Sequence, residues 1–319
     1  MYLLDKATKV DEEVNTLRSY LIKDGQIQYT TSTFDKWNKS RVAMNGTLMT
    51  NGRITFDDQM LNCLNFRDFQ EHQTQLITKG FTTVTVAPLV KYEKQIEAEF
   101  KRSKHALASS TLDFVIGLTL PINLLRTSVL RLCQNLRIPF LRIQIQSFNE
   151  IRKLPWTHLS QTLLTYPIVL IPVMEPSSMK LENVLTKEWE THCATFQIHT
   201  ATSLQPLESW TKPLLQKVGL YPRKGTLLNG SDADYLLFHE ENKNNHHFIE
   251  QKVAWEDQNV YHKKEPVIVV MKGEIVKSND TISLRPGFGR LVEVVRPGRF
   301  LSLSEASDTD QLFQQSSGS

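Results

Sequence analysis

The stretch GLYPRKGTLLNGSDADYLLF, Gly219 to Phe238, divides the chain into two kinds of pattern. Gly219, Pro222, Gly225, Gly230, Asp232 and Asp234 crowd its first part. These residue types make turns: glycine takes positive φ, proline fixes φ, and aspartate hydrogen-bonds its own backbone. A strand-like run, YLLF, follows at once. Before the stretch, apolar runs alternate with longer amphipathic segments; after it, only strand-like runs occur.

The alternation occupies residues 51–212. Strands are expected at Arg53–Phe56, Thr82–Ala87, Asp113–Leu120, Phe140–Gln146, Ile168–Met174 and Phe196–Ala201, each rich in β-branched or aromatic residues. Between them QMLNCLNFRDFQEHQTQLIT, KYEKQIEAEFKRSKHAL, INLLRTSVLRLCQNL and MKLENVLTKEWETHC have helical spacing, with Asp57 placed to cap the first and Pro121 to open the third. Strand and helix in alternation signal βα units on a parallel sheet. A closed eight-unit barrel takes ~250 residues, so this region is about ninety short and lacks about two units.

Residues 1–50 read as small β structure, with Asp24-Gly25 as a hairpin turn between SYLIK and QIQYT. PVIVVMKGEIVK, TISL and RLVEVV bring β structure back between 213 and 300, and residues 301–319 form a polar tail expected to be disordered. The expected fold is therefore α/β: a shortened, TIM-like (β/α) barrel over 51–212 with a small β-sandwich built from 1–50 and 213–300.

Composition excludes several function classes. A formal charge of +3 from 37 basic and 34 acidic residues gives no field for nucleic acid or an anionic membrane. Cys63, Cys133 and Cys193 are far apart and form no CxxC pair, the usage of a reducing compartment. The N-terminus lacks the pattern of a signal peptide, and the longest apolar run, Tyr166–Met174, is far shorter than the ~20 residues of a membrane span. A soluble cytoplasmic protein is expected. His246-His247 lies in an Asn- and Lys-rich loop and KRSK at 101–104 on a helix; both read as solvated surface.

GLYPRKG followed by GSDAD closely resembles the barrel-to-sandwich return of the dihydropyrimidinase, hydantoinase and allantoinase group of amidohydrolases. VIVVMKGEIVK is similar to that group's sandwich strand pair, Arg285–Arg290 (RPGFGR) resembles its C-terminal Gly-x-Gly-Arg segment, and LITKGFTTVTVAP resembles its second strand entry. The resemblance spans nearly the whole chain and implies hydrolysis of a ring amide by metal-bound hydroxide, the metal lowering the pKa of water to roughly 7.

The ligands implied by the resemblance are mostly substituted. Its first His-x-His falls on Asp57 and Gln59, and a neutral amide is a poor replacement for imidazole. Its metal-bridging lysine falls on Arg142, which stays charged and repels a cation. Its next histidine and glutamate fall on Val173 and Glu175, and its last aspartate lies in the segment this chain lacks. His199, in FQIHTATS, is the one ligand position retained. A residual site from Asp57, Asp58, Glu175 and His199 would take zinc; otherwise no cofactor is expected.

Three functions follow as alternatives. One is a catalytically inactive scaffold or regulator, whose exposed sheet edges would be covered in a homo-oligomer or in a hetero-oligomer with an intact paralogue. Another is a residual hydrolase of cyclic amides. The last is a small-molecule sensor in which Arg142 holds an anionic or carbonyl ligand.

Overall fold

The computed structural model describes residues 1–10, 15–34, 37–174, 179–202, 204–239, 264–299 and 301. Glu175, His246-His247 and the tail from 302 lie outside the described residues.

The N-terminal fifty residues form strands β1 (Tyr2–Lys9), β2 (Thr16–Lys23), β3 (Gln26–Thr31), β4 (Arg41–Ala43) and β5 (Thr47–Asn51). Asp24 and Gly25 both take positive φ, 53° and 76°, between β2 and β3, so the Asp-Gly pair makes the hairpin turn its sequence predicts.

The alternating region forms β6 (Arg53–Phe56), α1 (Phe66–Thr78), β7 (Phe81–Val86), α2 (Ile96–Ala106), β8 (Asp113–Ile116), β9 (Leu118–Pro121), α3 (Thr127–Asn135), β10 (Phe140–Ile145), α4 (Phe148–Arg152), α5 (Trp156–Leu163), β11 (Val169–Met174), α6 (Met179–Thr195) and α7 (Lys212–Val218). All its strand pairs are parallel. The expected third strand is split at Gly117: β8 pairs with β7, and β9 pairs with β10. A side chain at Gly117 would collide with the ring of Phe140, so glycine lets that ring enter the core. Helices pack by their apolar stripes, Phe69, Leu76 and Ile77 on α1 and Leu185, Trp189 and Cys193 on α6. Short α4, α5 and α7 carry too few periodic residues to have been read from sequence.

Two expectations need correction. Phe196–Ala201 is not a strand: only Thr200 pairs, with Leu170. The C-terminal turn of α6 consumes the residues that would extend it, with Gln197 at φ 52° and the Ile198 N–H on the Cys193 carbonyl at 2.8 Å. RLVEVV does not join the C-terminal strands either. It runs along β8, with the Phe114 N–H on Arg290 O at 3.0 Å and the Val292 N–H on Phe114 O at 2.8 Å. Val292, Val294 and the α7 residues Leu215 and Val218 are then buried with Ile54, Phe140, Val169 and Trp210. Apolar surface is withdrawn from water there.

The last strands, β12 (Tyr235–His239), β13 (Ile268–Met271), β14 (Glu274–Ser278) and β15 (Thr281–Ile282), complete one nine-stranded sheet with the order β15-β14-β13-β12-β5-β1-β2-β3, β4 pairing with β1. Both chain ends thus build one sheet beside the parallel strands. No described helix is long and apolar enough to cross a membrane.

Candidate functional site

At the C-terminal ends of the parallel strands, the chain leaves β6 through Asp57, whose extended backbone (φ −159°, ψ 100°) caps a 3-10 turn over Asp58–Leu61. Its Oδ1 accepts the Gln59 N–H at 2.9 Å, and its Oδ2 lies 2.9 Å from Nε2 of His72 on α1. The first long helix is capped instead by Asn65, whose side chain accepts the Asp68 N–H. Gln59 is exposed on the turn.

Asp58 points across the strand ends. Its Oδ1 accepts the Ala87 N–H at 2.5 Å, and its Oδ2 lies 3.3 Å from Nη1 of Arg142 on β10. The Arg142 guanidinium stands 4.3 Å over the ring of Phe56, a cation–π contact that also shields it from water. Burial pushes the Asp58 carboxyl up to about 6 against the opposing pull of the Ala87 N–H and Arg142, with Asp57 adding to the rise. Burial also lowers the Arg142 pKa, and Asp58 counters it. Val173 is half-buried and pairs with Gln144.

No hydrogen bond or ion pair among the described residues joins His199 to these groups; its carbonyl accepts the Leu170 N–H near the start of β11. A side chain on Gly298 would press on its Nε2, and burial together with Lys217 lowers its pKa. Of the expected residues the structure brings together Asp57, Asp58 and Arg142; Gln59 meets Asp57 through its backbone N–H alone and is exposed, and His199 has no described bond to any of them.

These residues do not fit a metal ion. Both oxygens of Asp57 and both of Asp58 already have partners, and the fixed positive charge of Arg142 stands on the Asp58 carboxylate that a divalent cation would need. No step through a metal is derived from them.

A second charged cluster lies where the nine-stranded sheet meets β8, and the stretch from Gly219 to Phe238 supplies most of it. Lys224 has a fully buried side chain, with its Nζ 2.5 Å from Asp113, 2.6 Å from Asp234 and 3.0 Å from Asp232. Lys272 sits in the tight turn between β13 and β14 at φ 47° and sends its Nζ to Asp113 at 2.9 Å. Arg223 lies 3.5 Å from Asp232, so three carboxylates face three cations. Burial alone would lower the Lys224 pKa; Asp234, Asp113 and Asp232 outweigh it and push it up. Burial alone would raise the Asp113 carboxyl; Lys224 and Lys272 hold it below the usual range.

The aspartate oxygens of this cluster are close enough to hold a metal, but the Lys224 ammonium is the cation among them. Gly289 completes the joint. Its N–H reaches Ser110 O at 2.9 Å so closely that any side chain would strike the Leu112 carbonyl, and the next N–H, of Arg290, reaches Asp113 at 2.8 Å. Sequence reading took the aspartates of this stretch as turn formers; a lysine set among turn residues was the signal that could have found the cluster. His72 carried no such signal, since nothing local ties it to Asp57.

No family model and no curated protein matches the sequence. Solved structures do match. A D-hydantoinase from Bacillus sp. AR9 superposes with a TM-score of 0.63 at 11% identity, over 93% of this chain and 99% of that one. A further D-hydantoinase gives 0.57 at 14% identity over 92% and 99%, and a dihydropyrimidinase from Brevibacillus agri gives 0.55 at 10% identity over 93% and 99%. The chain has the mixed α/β fold of the hydantoinases and dihydropyrimidinases.

Proposed function

We propose that this chain is a shortened hydantoinase- and dihydropyrimidinase-like protein that has given up metal-dependent hydrolysis and acts by binding. One observation carries the reading. At the strand ends, where the resemblance implies a lysine bridging two metals, the Arg142 guanidinium is paired with Asp58 and stacked on Phe56. A positive charge built into the chain does there what metal ions would do for neighbouring carboxylates, and it generates no hydroxide. In this reading 51–212 is a shortened barrel, its filling completed by α7 and the Val292–Val294 segment, and 1–50 with 213–300 is the accompanying β unit.

The exposure of Leu64 (93%), Phe66 (52%) and Tyr92 (67%) on the segments that follow β6 and β7 favours a self-assembly or an assembly with an intact paralogue. Three free thiols favour a cytoplasmic address. A second reading, in which Arg142 also holds a small anionic or carbonyl ligand, is favoured by its Nε, buried without a hydrogen-bond partner among the described residues.

The test is hydrolysis of hydantoin and dihydrouracil by the full chain with added zinc or manganese. The expected result is no turnover above buffer; turnover that is lost in Arg142→Ala or His199→Ala would return the chain to the hydrolases. Sedimentation should find a dimer or larger species, and a monomer at micromolar concentration would remove the assembly.

A further inference from the structure

Helices α3 and α5 lie side by side and run the same way. Near their C-terminal ends the Gln134 side chain of α3 donates to Thr162 O of α5 at 2.8 Å, and at their N-terminal ends Arg126, Thr127 and Pro155 line one cavity. The cavity has a volume of about 470 Å³ and continues between the helices past Arg131 and His158. It is distinct from the Asp58–Arg142 pair, which does not line it.

The lining is cationic. Arg126 and Arg131 both reach the cavity, and no aspartate or glutamate among the described residues lines it. Arg126 pairs with Glu93 at 2.8 Å, outside the lining, so one charge is offset. The Arg131 guanidinium and the His158 imidazole, on facing walls, have no hydrogen bond or ion pair among the described residues, and both are exposed, so only water meets them. The helix ends add charge of the same sign. Neither α3 nor α5 has a side-chain cap, and the positive ends of both dipoles lie at the Arg126–Pro155 end of the cavity. Two guanidiniums, an imidazole and two uncapped helix ends, with no acid among them, favour an anion as guest.

We propose that this cavity binds a small phosphomonoester. The phosphoryl oxygens take the Arg131 guanidinium from α3 and the His158 ring from α5, and the organic body extends between the helices toward Thr162. Three acceptor oxygens in a tetrahedron serve donors on two walls, where a planar carboxylate would serve one. The volume lies within the ~300–1,000 Å³ of small-molecule sites and leaves room for a ring or short chain beside the phosphoryl group. Exposed donors are screened, which sets the affinity on the order of millimolar. The site asks nothing of a metal and nothing of Arg142, so it goes beyond the function proposed above and can fail without it.

Proton–carbon correlation spectra of the full chain give the test, because each histidine contributes one Cε1–H signal and His158→Gln identifies the one in question. Phenyl phosphate and inorganic phosphate are the probes and neutral benzyl alcohol the control, at fixed pH and ionic strength. The His158 signal should move saturably with phenyl phosphate, more weakly with inorganic phosphate, and stay in place with benzyl alcohol. Arg131→Gln should weaken phenyl phosphate binding by at least about fivefold. Lys101→Gln, which removes the same charge from α2 outside the cavity, should stay within about twofold of the unaltered chain.

Absence of a saturable shift at ~10 mM phenyl phosphate, a concentration well above a millimolar Kd, overturns the proposal. Equal losses in Arg131→Gln and Lys101→Gln overturn it too, since the anion would then follow the charge of the whole chain. Inorganic phosphate bound as tightly as phenyl phosphate would show that no organic body is held and would overturn the assigned ligand. Should Arg131→Gln fail to fold, the comparison of phenyl phosphate with benzyl alcohol and inorganic phosphate on the unaltered chain decides by itself.

Discussion

Lys224 at the joint between the sheets and Arg142 at the strand ends are both cations held by aspartates, but their surroundings differ. The Lys224 side chain is 0% exposed and meets three carboxylates within 3.0 Å, with Lys272 and Arg223 balancing the excess negative charge. Arg142 meets one carboxylate, at 3.3 Å, and that partner is 32% exposed. The first arrangement joins segments far apart in sequence, 111 residues between Lys224 and Asp113, and the fold requires it. The second joins β10 to the turn after β6 through one ion pair at 3.3 Å. The buried cluster ties the nine-stranded sheet to β8, whereas the Asp58–Arg142 pair lies partly open to water.

The largest expected effect lies at the joint. Lys224→Met strands three buried aspartates and should cost about 3–5 kcal/mol in urea denaturation, enough to unfold a marginal domain. A loss under about 1 kcal/mol would mean that the joint is no more demanding than the strand ends, and the contrast between the two regions would break.

Arg142→Met should cost less, about 1–3 kcal/mol, because Asp58 loses a partner but keeps the Ala87 N–H and some water. Smaller again is His72→Ala, about 1 kcal/mol, since Asp57 keeps the Gln59 N–H. Both are checked by the same denaturation series, and an order reversed with respect to Lys224 would contradict the contrast.

The pH dependence sharpens it further. The raised pKa of Lys224 gives stability that is fully present below the unfolded value of ~10.4 and lost as pH rises through the folded one. The lowered pKa of Asp113 gives stability present above ~3.9 and lost on acidification. Asp58 works in the opposite sense. Its folded pKa of about 6 lies above the unfolded ~3.9, so the folded state holds more protons between the two and stability falls as pH rises across that window. Asp58→Asn should remove this slope between ~4 and ~6, and carboxyl NMR should find the Asp58 midpoint near 6. A midpoint at or below ~4 would mean that water reaches the pair freely.

Much of the fold was legible because its signals are local. Asp24-Gly25 dictates its own turn, four of the six expected parallel strands formed within a residue and the third formed in two pieces split at Gly117, and the apolar stripes of α1 and α6 follow the helical period. The sixth failed because the end of α6 and the left-handed Gln197 after it take up its first residues, and of those that remain, 198–201, only Thr200 pairs. Val292 and Val294 join another neighbour for a related reason: a short β-branched run has the same pattern whichever sheet it joins, and the contact of Val292 with Phe114 is made across 178 residues of chain.

The site was legible in part. The resemblance pointed to Arg142 at a single position, but its pairing with Asp58 and the pairing of His72 with Asp57 join residues 84 and 15 apart in the chain.

Metal content decides most directly between a strand-end site closed by Arg142 and one that still works. The full chain, purified without chelator and without a histidine tag, is to be analysed by plasma mass spectrometry for zinc and manganese per chain. Metal well below stoichiometry, unchanged in His199→Ala, is the expected result. Near-stoichiometric metal that is lost in His199→Ala or Asp57→Ala would show a working metal centre and contradict the closed site.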